Sequence, residues 1–296
     1  MEEVGAMGPS ESSRLCAPAL PPSVLLCLIV AWYVGLASSA WAEDLRWDRL
    51  TEGLSIASWS PEARCRDQVG RLTLIRIDPE RYRFSVYFYR DEKLDQPVPI
   101  DEWLRRSRAT VIFNAGLFRP DYSYLGILLK GGRRLGGRRH AQWRGLFVAE
   151  PTASSERKAR VFDLAQDQFS ETHPPFLEAA QSLMLFDRNG TPRVRRSERR
   201  AQQTVVAEDR EGRIVVIKTS EESTLWELAR CLSEERPELS HAMAMDGGSS
   251  SDAAVSPTAA GEWAKASVPP AWYHLVDLGE RPHIPLPAVI GVSPRE

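Results

Sequence analysis

Apolar and polar positions alternate through the early part of the chain. Arg71–Asp78 (RLTLIRID) and Arg83–Arg90 (RFSVYFYR) place apolar side chains on nearly every second residue, with Asp78-Pro79 between them. Successive side chains of a strand point to opposite faces, so the pattern predicts a hairpin with one wet face. Ile100–Ser107 (IDEWLRRS) reads as a short helix, and Ala109–Gly116 (ATVIFNAG) as a buried strand ending at Asn114. LGILLKGG (Leu125–Gly132) and RGLFVAEP (Arg144–Pro151) predict two further strands, and the polar run Pro151–Lys158 a surface loop.

Later the pattern changes. FLEAAQSLMLFDRNG (Phe176–Gly190) predicts a short helix or turn feeding a strand that ends at Asp187–Gly190. QQTVVAEDREGRIVVIKT (Gln202–Thr219) is a hairpin of two β-branched runs around Asp209–Gly212. ESTLWELARCLSEER (Glu222–Arg236) is a helix capped by Ser223 or Thr224, with Leu225, Leu228, Ala229 and Leu232 on one apolar face. Strand pairs among a few helices predict an α+β (mixed α/β) fold of mixed β-sheets with a few packed helices. There is no internal repeat and no linker, so a single mature domain is expected over 43–296.

The N-terminus changes the picture of location. An apolar run from Val24 to Leu36 precedes the small-x-small sequence Ala40-Trp41-Ala42 and the acidic pair Glu43-Asp44. About a dozen apolar residues suit a signal-peptide core, and 1–42 is expected to be a cleaved signal peptide or an uncleaved signal anchor. Either places the body of the protein outside the cytoplasm, in the periplasm or extracellular space. Cys16 and Cys27 fall in this segment, leaving Cys65 and Cys231 as a disulfide or as two separate buried thiols. A formal net charge of −2 excludes a global field for nucleic acid; membrane contact is expected only through the N-terminal segment if it stays uncleaved.

Candidate chemistry gathers in HAMAMDGGSSSDAAV (His241–Val255). An apolar strand delivers Asp246, then Gly247 and Gly248 free the backbone, and Ser249, Ser250 and Ser251 add hydroxyls and N–H donors that suit an anion. The same residues also suit a plain Asx turn. A second strand delivers Asn114, followed by Gly116 and a loop returning through Gly126. Asn114 offers a donor and an acceptor to a sugar hydroxyl or a phosphodiester oxygen, or else satisfies its own turn. The chain has no CxxC, HExxH or glycine-rich phosphate loop. One carboxylate among hydroxyls is a thin set for calcium, which takes about six to eight oxygens, so neither an obligatory metal nor a cofactor is expected. The basic run Lys130–His140 is a solvated hairpin end or an attractor of anionic glycans, and Trp143, Trp263, Trp272 and Tyr273 stack on sugars or pack.

Three segments together resemble the phosphodiester glycosidase family. FNAGLFRPDYSYLGILLKGGR (Phe113–Arg133) is similar to its Asn-Ala/Gly-Gly-aromatic segment, STLWELARCL (Ser223–Leu232) to its helix, and AMAMDGGSSS (Ala242–Ser251) to its Asp-Gly-Gly signature. The resemblance implies cleavage between a sugar anomeric carbon and a phosphodiester oxygen, with Asp246 as catalytic carboxylate. Asn114, Gly116, Gln181, Gln203, Gly247, Gly248 and Ser249 would bind substrate, a sugar phosphodiester or anionic glycan. Glu227 is a second catalytic acid or a helix carboxylate bonded to nearby backbone. Two positions depart from the family: Gln181–Met184 (QSLM) stands where members carry Gln-Ser-Gly-Pro, and Gln203 where they carry arginine. Arginine is the natural partner of a phosphate; Gln203 carries no charge, and Arg199 or Arg200 are the nearby substitutes.

Overall fold

In the computed structural model, which describes residues 45–261 and 283–296, the hairpin at Thr204–Thr219 forms the middle of a large sheet. In chain order the elements are β1 (Asp48–Thr51), β2 (Leu54–Trp59), α1 (Ala63–Val69), β3 (Leu72–Ile77), β4 (Tyr82–Phe88), α2 (Ile100–Ser107), β5 (Val111–Asn114), β6 (Leu128–Lys130), β7 (Arg133–Arg134), β8 (Gly145–Pro151), β9 (Ala159–Asp163), β10 (Phe176–Phe186), β11 (Thr204–Asp209), β12 (Ile214–Thr219), α3 (Leu225–Glu235), β13 (Leu239–Ala244), β14 (Ala253–Val255) and β15 (Ala288–Pro294). All lie in one unit, Leu45–Glu296. The fold is α+β with sheet predominating.

The large sheet runs β1-β2-β3-β12-β11-β13-β10-β6-β7, with β8 on β10 and β9 on β8. The smaller sheet runs β14-β5-β15-β4. Among the described residues every pairing between these strands is antiparallel, so the sheets are not mixed as expected. Neither α2 nor α3 links two neighbouring parallel strands, as a βαβ unit would require.

β11, β12 and β13 are buried almost throughout because both faces of the large sheet are covered. Val206, Ile214, Val216 and Met243 face the core shared with the smaller sheet, together with Phe84, Phe113 and Ile290. The alternate residues Val205, Ala207, Val215, Ile217 and Ala244 face α1 and α3, against Val69, Leu228 and Leu232. Helix α3 starts where a capping box predicts it: Thr224 Oγ1 accepts from the Glu227 amide at 3.1 Å, and the Thr224 amide donates to Glu227 Oε2 at 3.1 Å. Cys65 on α1 and Cys231 on α3 form a disulfide, which resolves the two readings of these cysteines.

Two expected elements are corrected. β3 and β4 do not form a hairpin; β3 pairs with β2 and β12, while β4 pairs with β15 in the other sheet. Asp78-Pro79 is thus a crossing between layers, and the alternation records two strands with different partners. Phe176–Phe186 contains no helix; it is one strand, β10, long enough to pair with β6, β8 and β13. Its FLEAAQ opening has helical propensity, overridden by pairing along the strand. The polar run Pro151–Lys158 is an exposed loop at its centre, as predicted. The segment 1–42, with Cys16 and Cys27, and the aromatics Trp263, Trp272 and Tyr273 lie outside the described residues.

Candidate active site

β13 and β5 deliver the two residues singled out in the sequence to the same place. Met245 and Asp246 continue past the last paired residue of β13, and Asn114 ends β5. The Asn114 side chain is buried and donates through Nδ2 to the Asp246 carbonyl at 2.8 Å and the Ala115 carbonyl at 3.1 Å. Its Oδ1 accepts from the Asp252 amide at 3.0 Å. Asn114 therefore clamps both ends of the 246–252 loop to β5. The Asp246 amide adds a bond to the Ala115 carbonyl at 3.2 Å.

Held this way, the Asp246 carboxyl is partly buried and accepts from the Gly247 amide at 3.1 Å and from the Ser250 hydroxyl. Burial raises its pKa to about 6, because the loss of water outweighs the two donors and the charge of Arg199. The two glycines have separate reasons. A Cβ on Gly247 would lie 2.6 Å from Gln203 Oε1, and Gly248 has φ of 71°, a left-handed conformation, with its amide bonded to the Gln202 carbonyl at 2.8 Å. Ser249 is exposed at the turn while Ser250 is buried.

Gln181 and Gly116 meet the same neighbourhood through Tyr124. The Tyr124 hydroxyl accepts from the Gly116 amide at 2.9 Å and donates to the Gln181 carbonyl at 2.8 Å. A Cβ on Gly116 would lie 2.4 Å from that hydroxyl and 2.5 Å from the carbonyl, so only glycine fits. The Gln181 side chain is filled by the chain itself: Oε1 accepts from Ile127 and His140 amides, and Nε2 donates to the His140 and Trp143 carbonyls. It fastens a stacked His140–Trp143 pair, 4.0 Å between ring centroids. The Gly131-Gly132 turn between β6 and β7 bears the basic run as a hairpin end.

Gln203 and Glu227 lie on the other side of the glycines. Gln203 is buried, donates to the Ala201 carbonyl at 3.1 Å and to the Ser223 carbonyl at 3.4 Å, and packs against Gly247. Glu227 closes the capping box and accepts from Arg200 at 2.9 Å. Arg200 also donates to the Gln68 carbonyl at 2.7 Å and the Glu222 carbonyl at 2.8 Å. The structure thus joins Asp246, Asn114, Gly116, Gly247, Gly248 and Gln203 directly or through one residue, whereas the Glu227 carboxylate is engaged at the helix cap.

Tyr124 was not identified from the sequence, although it lies inside the quoted DYSYLG stretch; a tyrosine preceding a glycine gives no sign of its hydroxyl's partners. A second group was also missed. Lys218, buried on β12 opposite Thr204, donates to the Thr219 carbonyl at 3.2 Å, and burial lowers its pKa to about 8. Thr204 and Ser251 share a hydrogen bond of 2.9 Å, and His283 Nδ1 lies 2.5 Å from Asp252 Oδ2. A polar layer therefore lies under the loop that carries Asp246, formed by residues far apart in sequence.

The phosphodiester glycosidase family model matches residues 107–278, more than half of the chain, and the chain belongs to that family. Among solved structures it is similar to a protein from Synechocystis, with a TM-score of 0.57 and 14% identity over 86% of this chain; it spans 65% of that protein's length. It is also similar to the catalytic domain of zebrafish N-acetylglucosamine-1-phosphodiester alpha-N-acetylglucosaminidase, auto-inhibited by its pro-peptide, with a TM-score of 0.54 and 13% identity over 87% of this chain and 85% of that one. At these identities the likeness is one of fold. No curated protein matches the chain in sequence.

Proposed function

We propose that the protein is an exported hydrolase that cleaves the glycosidic bond of a sugar-1-phosphodiester in an envelope or exopolysaccharide glycan. The observation that carries this reading is Asp246: a largely buried carboxylate that accepts from the Gly247 amide and the Ser250 hydroxyl, with its backbone carbonyl clamped by Asn114 and the open turn at Gly248 beside it. With a pKa of about 6 it is mostly ionised at neutral pH, yet basic enough to take a proton from water. In the reaction the bond from the anomeric carbon to the phosphodiester oxygen breaks and a bond from water oxygen forms. The leaving phosphate carries away the bond electrons without needing a strong general acid. The transition state resembles an oxocarbenium ion, which a nearby carboxylate stabilises or attacks through an activated water. Asn114 acts by fixing Asp246, and Gln181 by fixing the His140–Trp143 pair, an aromatic surface suited to a sugar face. The Cys65–Cys231 disulfide supports export, because such bonds persist in oxidising compartments.

The test is incubation of purified protein with an activated α-configured sugar phosphodiester. Release of free sugar in proportion to enzyme supports the reading; no release at high enzyme concentration counts against it. Gln203 favours a second reading, a glycan- or phosphate-binding envelope protein of the same fold without turnover, since its neutral side chain stands where the family carries an arginine. Binding without release would select that reading.

A further inference from the structure

Asp252 closes the loop that Asp246 opens, and it is held at amide, carbonyl and side chain. Its amide donates to Asn114 Oδ1 at 3.0 Å, its carbonyl accepts from the Asn114 amide at 3.0 Å, and its buried carboxylate meets His283 Nδ1 at 2.5 Å. His283 belongs to the segment that leads into β15. Further along that segment, the Leu286 amide donates to the Val98 carbonyl at 2.9 Å, and the Leu286 carbonyl accepts from Trp103 Nε1 at 2.8 Å. The imidazole thus stands on a fixed mount. Thr204 supports both ends of the loop: its carbonyl accepts from the Met245 amide at 2.8 Å, and its hydroxyl shares a hydrogen bond of 2.9 Å with Ser251. Lys218 lies opposite Thr204 across β11 and β12, and facing residues of paired strands share one face of the sheet. The charged groups acting on His283 are Asp252, Asp101 on α2 and Lys218 on β12.

A buried charged cluster is a costly way to close a loop. Desolvation of ionised groups offsets much of their attraction, and well-packed apolar residues often serve stability equally well. What hydrogen bonds add is direction. The Asn114 amide has two ends: Oδ1 is committed to Asp252, and Nδ2 to the Asp246 carbonyl at 2.8 Å. The placement of Asp252 therefore sets the orientation of the Asn114 amide, and with it the backbone that carries the Asp246 carboxylate. Resting on the proposed reaction, we infer that His283 and Asp252 are positioning residues for Asp246: their contact locks the far end of its loop, and Asn114 transmits the lock to the near end. The hydrogen bond to Asp252 outweighs burial and raises the His283 pKa, which favours the protonated, donating imidazole. Neither residue touches substrate in this role.

The variants are made at His283, because a neutral residue at 252 would take from the buried Lys218 the carboxylate that favours its charge. His283→Asn places an amide donor near the Nδ1 position, His283→Gln places one near Nε2, and His283→Ala removes the donor. In the full chain the Asp246 carboxyl is titrated by carbon-13 NMR, its signal assigned from Asp246→Asn, and hydrolysis of an activated α-sugar phosphodiester is measured alongside. In His283→Ala and His283→Gln the loosened loop should admit water to Asp246, so that its pKa falls from about 6 toward the ordinary carboxylate range. Where hydrolysis is present, kcat drops about ten- to a hundredfold in these two variants with KM nearly unchanged. His283→Asn keeps both properties close to those of the unaltered protein. An Asp246 titration that is unchanged in His283→Ala and His283→Gln overturns the inference, as does an unchanged kcat or an equal loss in His283→Asn. Should His283→Ala fail to fold, the contrast between His283→Asn and His283→Gln decides. Because the titration needs no turnover, a protein that shows this pattern yet releases no sugar refutes the hydrolase reading and keeps the positioning of Asp246.

Discussion

Asp246 holds its carboxyl in an environment that disfavours the charged form, and this has a sign that can be measured. Its pKa is near 6 in the folded chain against about 4 when unfolded. Below pH 4 both states are protonated and the group costs nothing. As pH rises through 6 the folded state must hold the anion, and stability falls. Asp246→Asn keeps the shape and the acceptor oxygen, so it should unfold at a higher temperature than the unaltered protein at pH 7.5, by about 1–2 kcal/mol, and at the same temperature at pH 4. Thermal denaturation at the two pH values checks this; lower stability at pH 7.5 would show that the ionised group serves the fold. The same pKa predicts that kcat/KM for hydrolysis declines below about pH 6 with a slope of one proton, readable from a pH–rate profile.

Among the elements, α3 follows directly on Ser223, whose carbonyl holds Gln203 at the site's edge, and the disulfide ties the helix to α1. The bond closes a loop of 166 residues, so removing it with Cys65→Ser and Cys231→Ser should lower stability by about 4–5 kcal/mol, seen as a drop in denaturant midpoint. An unchanged midpoint would show that the helices dock without it. The elements legible in the sequence were those whose signal is local. The β11–β12 hairpin carries its own turn at Asp209–Gly212, and α3 its own cap at Thr224. What could not be read was partnership. β3 and β4 look like neighbours because one turn separates them, yet their partners β12 and β15 lie more than a hundred residues further on. In the site, Asp246 and Asn114 were visible as polar residues closing apolar runs. Tyr124, Lys218 and the Asp252–His283 pair were not, since only the fold brings them beside that loop.

For the whole molecule, two antiparallel sheets pack so that the ends of β13 and β5 meet, one from each layer. The packed layers fix a carboxylate and its clamp against each other, at the start of a loop of glycines and serines. Among the described residues no helix is long and apolar enough to cross a membrane. Under the proposed function, Asp246 serves catalysis rather than the turn that contains it. Its most direct test is the turnover of Asp246→Asn on a sugar-1-phosphodiester that the unaltered protein hydrolyses, at pH 7 and with folding verified by circular dichroism. The folded variant should be at least about a hundredfold slower in kcat, roughly 3 kcal/mol of lost transition-state stabilisation. A folded variant that turns over at the rate of the unaltered protein would contradict that role.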